Sequence, residues 1–404
     1  MEALPDWWAL VGLFLVKVIG GATLYLGDSR DVLETLADNS VDAVVTDPPY
    51  ALEFMGKVWD TGEVAFSAEF WRKVLRIAKP GAHVLAFGGT RTYHRLACAI
   101  EDAGFEIRDQ IGWAYGTGFP KSSNQEGEWE GWGTALKPAW EPIVMARKPL
   151  IGTVPQNLTA QGVGALNIDG CRIHADDAKG YAYTVARTAP GATQNATGRT
   201  KFDDGTAHQG KTKDGRWPAN LVHDGSEEVV ALFPAEAGAA APVLRRGSDK
   251  FRNTYNAFPG NVDEAGSTFH GDTGSAARFY YCAKASKADR DDGVLLAEKA
   301  FVAFQTANGA SGEASSLSEG RSTAYRNTHP TVKPTDLMRW LCRLVTPKGG
   351  TVLDPFMGSG STGRGALFED CKFIGIEMSA EYFEIAGMRI TRAASTPKQQ
   401  ELGL

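Results

Sequence analysis

Apolar and polar positions follow two periods along the chain, and the two periods alternate. Short apolar runs rich in β-branched residues, such as Val41–Thr46, predict buried strands. Between such runs, apolar residues recur at helical spacing, as in Phe66–Ala78, which ends at Lys79-Pro80-Gly81. This alternation of strands and helices predicts an α/β fold with a doubly wound, mostly parallel sheet.

The predicted elements form two groups, one towards each end of the chain. The first group has strands at Thr23–Leu26, Val41–Thr46, His83–Phe87, Phe105–Tyr115 and Glu141–Arg147, and helices at Ser29–Leu36, Phe66–Ala78 and Arg91–Ala103. The second has helices at Thr335–Val345, Gly363–Phe368 and Ala380–Ala394, and strands at Thr351–Leu353 and Lys372–Ile376. Between them the pattern stops, apart from strand-like pieces at Asn220–His223 and Phe279–Ala283. We expect one sheet built from both groups, with the middle of the chain as an insertion.

The start of the chain carries an apolar stretch, Trp7–Ile19, interrupted only by Lys17. It is short for a bilayer span, and no positive charge precedes it as in a signal peptide. We expect a packed helix or an extension ahead of the fold, and no membrane partner. The five cysteines are widely spaced without a C-x-x-C pair, which favours a reducing cytoplasm and no metal site.

The strand Val41–Thr46 runs directly into Asp47-Pro48-Pro49-Tyr50. Ligands bind at the carboxyl ends of strands in open α/β sheets. The prolines restrict the backbone here, so the Asp47 carboxylate and the Pro48 carbonyl can be held as two aimed acceptors. Such a pair suits an amino group on an aromatic ring, with Tyr50 stacked on that ring. The alternative is a proline-terminated loop with a capping aspartate.

A glycine-rich segment, Asp354-Pro355-Phe356-Met357-Gly358-Ser359-Gly360-Ser361-Thr362-Gly363, follows the strand Thr351–Leu353. Its glycines allow close approach of backbone to a ligand, and Glu377 ends the next strand, where an acid can accept from ribose hydroxyls. A phosphate-binding P-loop is excluded because no G-K-[ST] follows. A dinucleotide site or a purely structural glycine turn remains open. The string His329-Pro330-Thr331-Val332-Lys333-Pro334 precedes this region, and Lys333 is a candidate partner for a carboxylate.

Together these motifs resemble the amino-group DNA methyltransferases, and more narrowly their permuted beta branch and the adenine-specific methylases of phages and bacteria. In that branch D-P-P-Y comes first, then a target-recognition region, then H-P-x-x-K-P and D-P-F-x-G-S-G-[ST], as in this chain. The resemblance covers roughly residues 22–395 and includes Gly27-Asp28 and residues 54–57 and 279–284. It implies a seven-stranded sheet with a reversed hairpin, here Phe105–Tyr115 with Glu141–Arg147.

The resemblance also implies roles for individual residues. Asp47, Pro48, Pro49 and Tyr50 would hold the target amine and its ring. S-adenosylmethionine would be the cofactor, with Asp28 at its adenine end and Glu377 on its ribose. Its remaining contacts would come from residues of the two later motifs and the catalytic loop, namely Asp47, Thr331, Lys333, Asp354, Phe356, Gly358, Ser359 and Gly360.

The implied activity is site-specific transfer of a methyl group to N6 of a flipped-out adenine in double-stranded DNA. Cytosine-C5 chemistry is excluded because no cysteine follows a proline. Asp47 is typical of the adenine enzymes, and N4-cytosine methylation is the alternative. An RNA adenine methyltransferase, an NAD-dependent oxidoreductase and a silent DNA-binding regulator remain rival hypotheses.

The expected organisation has five parts: an N-terminal extension (1–21), a catalytic half (22–149), an inserted target-recognition region (150–325), a cofactor-binding half (326–395) and a tail (396–404). Because the formal net charge is −6, we expect DNA to be bound by a local basic patch. The clearest basic cluster is Arg245, Arg246, Lys250 and Arg252. The resemblance also allows a homodimer and a partner restriction endonuclease.

Overall fold

A computed structural model describes residues 8–11, 14–50, 63–118, 122–174, 182–186, 207–211, 213–236, 274–283, 286–294, 300–301, 324–325 and 327–396. The chain divides into two compact units. The main unit comprises Met1–Cys171, Asn220–Ser226 and Cys282–Leu404, and the second unit comprises Arg172–Ala219 and Glu227–Tyr281.

The strands and helices in chain order are as follows. The strands are β1 (Trp8–Val11), β2 (Phe14–Ile19), β3 (Ala22–Leu26), β4 (Val41–Thr46), β5 (Ala78–Phe87), β6 (Glu106–Ala114), β7 (Trp140–Arg147), β8 (Ala182–Ala186), β9 (Ala207–Lys211), β10 (Leu221–His223), β11 (Tyr281–Cys282), β12 (Ala300–Phe301), β13 (Ala324–Tyr325), β14 (Thr351–Asp354) and β15 (Lys372–Glu377). The helices are α1 (Ser29–Thr35), α2 (Ala68–Ile77), α3 (Tyr93–Asp102), α4 (Val154–Gln161), α5 (Glu227–Val230), α6 (Lys287–Asp291), α7 (Thr335–Val345), α8 (Ser361–Phe368) and α9 (Ala380–Ser395).

The large sheet has the strand order β1-β2-β3-β15-β14-β4-β5-β7-β6-β10-β11. Strands β3, β15, β14, β4 and β5 pair parallel to one another in that order, and β7 runs antiparallel to both β5 and β6. The expected hairpin between the sixth and seventh strands is confirmed. The expected count of seven strands is wrong, because two strands extend the sheet beyond β3 and two more extend it beyond β6.

The N-terminal stretch is the clearest departure from the sequence prediction. Instead of a helix or a separate extension, β2 pairs antiparallel with β3, from Leu15 opposite Leu26 to Ile19 opposite Ala22, and β1 pairs with β2. Gly20 lies in the turn with φ of +56°. A short apolar run does not distinguish a strand from a helix, and here the glycine turn and the open edge of β3 favour the strand.

The helices of the main unit pack in two groups, as a doubly wound sheet requires. One group contains α1, α2 and α3, and the other contains α7, α8 and α9. One large core cluster lies between the first group and β4, β5 and β7, and it includes Trp71, Ile100 and Val144. Among the described helices, none is long and apolar enough to cross a membrane.

The second unit is smaller than the insertion expected over residues 150–325. Residues 150–171 belong to the main unit, where Asn157 of α4 donates to the Pro80 and Val163 carbonyls. Within the second unit β8 pairs antiparallel with β9. The basic cluster Arg245, Arg246, Lys250 and Arg252, residues 54–57 and all of the tail beyond Thr396 lie outside the described residues.

Candidate active site

The two motifs that the sequence places far apart meet at one edge of the sheet. Strands β4 and β14 are parallel neighbours, with Ala43 opposite Val352 and Val44 opposite Leu353. Asp47 follows β4 and Pro355 follows β14, so both loops leave the sheet at the carboxyl ends of adjacent strands. This edge is the expected place for a ligand in an open α/β sheet.

A cavity of about 750 Å³ opens between these loops. Its lining includes most of the expected site residues: Asp28, Asp47, Pro48, Pro49, Tyr50, Thr331, Lys333, Asp354, Phe356, Gly358, Ser359 and Glu377. Gly360 does not line the cavity. It begins α8 with φ of +78°, and a Cβ there would lie 3.1 Å from the Ala386 Cα. Its role is therefore close packing of α8 against α9.

One end of the cavity holds a cluster of charged groups, formed by Asp47, Tyr50, Glu141 and Lys333 and called the charged end below. The Lys333 Nζ lies 2.7 Å from the Asp47 Oδ2 and 3.2 Å from the Glu141 Oε2. The Tyr50 hydroxyl donates to the Asp47 Oδ1 at 2.8 Å. Lysine and both acids are thus joined in one network.

Burial and nearby charges together set the pKa values of Lys333, Glu141 and the adjacent Tyr115. Burial alone would lower the pKa of Lys333, but Asp47 and Glu141 outweigh it and raise that pKa, so the ammonium stays charged. Burial raises the pKa of Glu141, and Lys333 opposes part of that rise. Burial, together with the nearby Glu141 carboxylate, raises the pKa of Tyr115 to about 12.

The glycine segment forms the other end of the cavity, called the loop end below, with Asp354 at its base. Asp354 is almost fully buried and accepts hydrogen bonds from the Thr46 and Thr362 hydroxyls, each at 2.6 Å, and from the Phe356 N–H at 3.1 Å. Burial raises the pKa of Asp354 to about 6, although these bonds oppose the rise. Asp354 therefore holds the loop in shape.

Glu377 closes the loop end from the neighbouring strand β15. Its Oε2 accepts from the Gly358 N–H and its Oε1 from the Ser379 N–H, both at 2.8 Å. Burial raises the pKa of Glu377 to about 7, and the backbone donors oppose the rise. When ionised, this carboxylate can accept hydrogen bonds from a polar ligand in the cavity that it lines.

The family model described as DNA methylase, N6_N4_Mtase, matches residues 41–388. This chain belongs to that family. The match includes the strand β4, the Asp47 motif, the His329 segment and the glycine loop. S-adenosylmethionine is the cofactor of this family of methylases.

Curated relatives of this DNA methylase match over shorter stretches. DNA adenine methyltransferase YhdJ of Escherichia coli (strain K12) is 42% identical over 78 residues, 19% of this chain and 26% of that protein. Type II methyltransferase M.HindIII of Haemophilus influenzae is 24% identical over 198 residues, 36% of this chain and 64% of that protein. The chain thus spans less than two thirds of the length of each.

Solved structures resemble this DNA methylase over most of its length. The M1.HpyAVI–SAM complex aligns with a TM-score of 0.38 and 15% identity, covering 91% of this chain and 99% of that one. The PvuII DNA methyltransferase (cytosine-N4-specific) aligns with a TM-score of 0.41 and 14% identity, covering 91% and 86%. Values this low support no statement about the substrate.

The cavity of this DNA methylase fits the family's cofactor. A volume of about 750 Å³ is in the usual range for ligands of that size. The ring of Phe356 packs against Phe70 at 5.1 Å and offers an apolar wall, and Glu377 and Asp28 add acidic acceptors. Gly358 has φ of +52°, and a Cβ there would lie 2.7 Å from the His329 Nε2, so the loop tolerates no side chain at this position.

A buried arginine supports the loop end from behind, and the sequence reasoning missed it. Arg389 on α9 is fully buried and donates to the Ser359 carbonyl at 2.8 Å, the Ser359 hydroxyl at 3.0 Å and the Ser361 hydroxyl at 3.1 Å. Burial lowers the pKa of Arg389 to about 9. An arginine on the apolar face of an amphipathic helix is the signal that could have found it.

The short helix α6 ties the His329 segment into the site, and it was also missed. Asp289 accepts from the Thr335 N–H at 2.8 Å and from its hydroxyl at 2.6 Å, which caps α7 from outside that helix. Arg290 donates to the carbonyl of His329. No periodic pattern marks this five-residue helix, so its role follows only from the fold.

Glu141 is the third residue that the sequence analysis did not place in the site. It is the second residue of β7, just before the apolar run of that strand, and 19% of its side chain is exposed. A charged residue at the start of a buried strand, on the sheet edge that carries the motifs, is the available signal.

Proposed function

We propose that this protein is a DNA methyltransferase that transfers a methyl group from S-adenosylmethionine to N6 of adenine in double-stranded DNA, at a specific sequence. One observation carries the proposal. The loop Asp47-Pro48-Pro49-Tyr50 and the glycine loop, about 300 residues apart, border a single cavity of about 750 Å³. An amine-binding end and a cofactor-binding end therefore share one space.

The loop end would hold the cofactor. Glu377 would accept hydrogen bonds from the ribose hydroxyls, and Asp28, which lines the same cavity, would contact the adenine end. Asp28 is fixed for this task because it caps α1 and pairs with Arg30, whose hydrogen bonds lower the pKa of Asp28. Phe356, Gly358, Ser359, Thr331 and Lys333 would border the methionine part.

The charged end would hold the target base. When bound, S-adenosylmethionine supplies an electrophilic methyl group on its sulfonium. The Asp47 carboxylate and the Pro48 carbonyl would accept the two N–H bonds of the amine, which draws its lone pair out of the ring and aims it. Tyr50 would stack on the base, which must leave the duplex to reach this depth. Rate enhancement then comes from positioning and electrostatics, without a covalent enzyme intermediate.

The choice of adenine over cytosine rests on Asp47, because aspartate in this motif is typical of the adenine enzymes. The family to which the chain belongs includes both N6 and N4 methylases. N4-cytosine methylation would leave the fold and the proposed mechanism unchanged, and an RNA adenine would use the same amine chemistry.

Target recognition is proposed for the inserted region, about 150–325. The second unit within it exposes Trp217, and the Arg172 guanidinium lies 5.4 Å from the centre of that ring. Stacked arginine and tryptophan pairs suit contact with nucleic acid. The basic cluster Arg245, Arg246, Lys250 and Arg252 would add phosphate contacts. A homodimer and a partner endonuclease are further proposals that the family resemblance suggests.

The test is base-by-base single-molecule sequencing of genomic DNA from cells with and without the expressed protein. N6-methyladenine at one recurring motif is expected, and it should vanish with the Asp47→Ala variant. Methyl groups on cytosine N4 would overturn the choice of base. Unmodified DNA from cells that contain a folded, cofactor-binding protein would overturn the proposed DNA activity, and the same preparation would then be assayed on RNA.

A further inference from the structure

Glu141 completes the charged end from a strand that carries no part of the four-residue motif. It is the second residue of β7, and its Oε2 accepts from the Lys333 Nζ at 3.2 Å and from the Tyr50 hydroxyl at 3.4 Å. Tyr115, which directly follows the neighbouring strand β6, also hydrogen-bonds to Glu141. Glu141 does not line the cavity, so it would reach the target base only through other residues.

The charges of this cluster show what Glu141 adds. Asp47 and Lys333 are 2.7 Å apart, and as a pair they carry no net charge. Glu141 adds a second carboxylate to the same ammonium and brings the net charge of the three side chains to −1. The Lys333 Nζ also lies 4.9 Å from the centre of the Phe87 ring, so the ammonium has little freedom to move to other partners.

The net charge of this cluster matters for the proposed reaction. As the amine nitrogen bonds to the methyl carbon and the carbon–sulfur bond of the sulfonium breaks, the positive charge passes from sulfur to the amine that Asp47 holds, where it stays until the amine gives up a proton. In a buried site a neutral Asp47–Lys333 pair would oppose that charge poorly, whereas a cluster of net charge −1 would stabilise it. Sharing Lys333 with Glu141 also weakens the hold of the ammonium on Asp47, which leaves Asp47 a stronger acceptor.

We propose that Glu141 is a positioning residue for methyl transfer: it shares Lys333 with Asp47 and so keeps a net negative charge beside the target amine. This proposal rests on the proposed function. A purely structural role explains the arrangement less well, because β7 is already hydrogen-bonded between β5 and β6. Burying a carboxylate there for stability alone carries a desolvation penalty.

The experiment compares wild type, Glu141→Gln, Lys333→Met and the double variant with PCR-amplified, hence unmethylated, genomic DNA and saturating S-adenosylmethionine. Glu141→Gln should lower kcat by about ten- to a hundredfold with little change in the Kd for S-adenosylmethionine. The double variant should be faster than Glu141→Gln, because removing both charges returns the net charge to −1. If Glu141 and Lys333 instead contributed separately to the structure, the double variant would be slower than Glu141→Gln.

The pH profile of kcat gives a second readout. In Lys333→Met, Asp47 and Glu141 face each other beside Tyr50 and Tyr115 with no cation, so one carboxyl should keep its proton and the acid limb should move to higher pH. Adding Glu141→Gln should move that limb back. Glu141→Asp, which keeps the charge, should restore most of the activity lost in Glu141→Gln.

A matched control is Glu106→Gln on the same hairpin. Glu106 also pairs with a basic residue, Arg147 at 2.8 Å, but at the opposite end of the hairpin and with 42% of its side chain exposed. Its kcat and pH profile should match wild type. Equal kcat for wild type and Glu141→Gln would overturn the inference, as would a double variant slower than Glu141→Gln. If the double variant does not fold, the pH profile of Lys333→Met still tests the inference. An acid limb at the same pH as in wild type would overturn it. A wild type that binds cofactor but methylates no DNA would refute the proposed function instead.

Discussion

The two ends of the cavity use carboxylates in opposite ways. At the charged end, Asp47 and Glu141 are both held by the ammonium of Lys333. At the loop end, Asp354 and Glu377 are held by hydroxyls and backbone N–H groups that carry no charge. Charged partners suit a place where charge changes during the reaction, and neutral partners suit a place that must keep its shape. This difference matches the proposal that the chemical step takes place at the charged end and that the cofactor binds at the loop end.

The largest effect should come from the charged end. Asp47→Ala removes the acceptor that aims the amine, so methyl transfer should fall by about 10³-fold. Lys333 keeps Glu141 as a partner, so folding and S-adenosylmethionine binding should survive. Transfer of tritiated methyl groups to DNA, together with calorimetric titration of the cofactor, measures both.

The control for this variant is Asp42→Asn on the same strand, where Asp42 pairs with Lys79 at 2.6 Å far from the cavity. This substitution should lower thermal stability and leave the rate of transfer close to that of wild type. Substantial turnover by Asp47→Ala would remove Asp47 from its proposed role.

The next effect should come from the loop end. Glu377→Ala removes the acceptor proposed for the ribose, so the Kd for S-adenosylmethionine should rise by about ten- to a hundredfold. At saturating cofactor kcat should change much less, which would separate binding from chemistry. Glu384→Ala on α9, an exposed glutamate outside the cavity that pairs with Lys17, is the matched control. An unchanged Kd in Glu377→Ala would refute the ribose assignment.

A smaller effect should appear in the pH dependence of cofactor binding. Burial raises the pKa of Glu377 to about 7, so this carboxyl gains a proton as the pH falls through neutrality. A protonated Glu377 accepts hydrogen bonds less well, and the Kd for S-adenosylmethionine should therefore be up to about tenfold higher at pH 6 than at pH 8. Glu377→Gln should remove this slope. A slope that persists in that variant would assign the titration to another group.

The smallest effect should come from the support of the loop. Thr362→Val leaves one oxygen of the buried Asp354 without its hydroxyl donor, at a cost of about 1–3 kcal/mol in unfolding free energy. The rate of methyl transfer should change little, because the hydrogen-bond donors to Asp354 in the described part of the chain belong to the loop, β4 and α8. Denaturant unfolding measures the first quantity. Thr391→Val, at an exposed position of α9 with only an intrahelical bond, should leave unfolding close to wild type.

Local pattern predicted most of the sheet. The bounds of β4 and α7 agree with the sequence prediction because β-branched residues followed by two prolines favour a strand and an amphipathic repeat favours a helix. The prediction of a helix or an extension at Trp7–Ile19 was wrong. Its apolar run carries no helical or strand period, and pairing with the edge of β3 decided the structure. The side chain of Asp28 caps α1, and the Ser29 hydroxyl donates to the Pro355 carbonyl, a contact that no local pattern predicts.

The predicted site was complete only where a motif marked it. Motif residues at strand ends were found because strand order brings such ends together, and the predicted catalytic and cofactor-binding residues other than Gly360 line the cavity. Glu141 and Arg389 belong to no motif, and each gains its role from neighbours far away in sequence, Lys333 and Ser359. Such partnerships depend on tertiary packing, so a local sequence pattern can mark the residue but cannot identify its partner.

The hydrogen bond between Thr46 and Asp354 spans 308 residues of chain, and this separation has a consequence for protein synthesis. At about 5–20 residues per second, a ribosome needs about 15–60 s to translate that interval. During this time the nascent chain has β4 but lacks β14, the strand that lies beside it in the finished sheet. Any transcript or translation product that stops before β14 therefore lacks the glycine loop, and we expect it to be inert towards DNA.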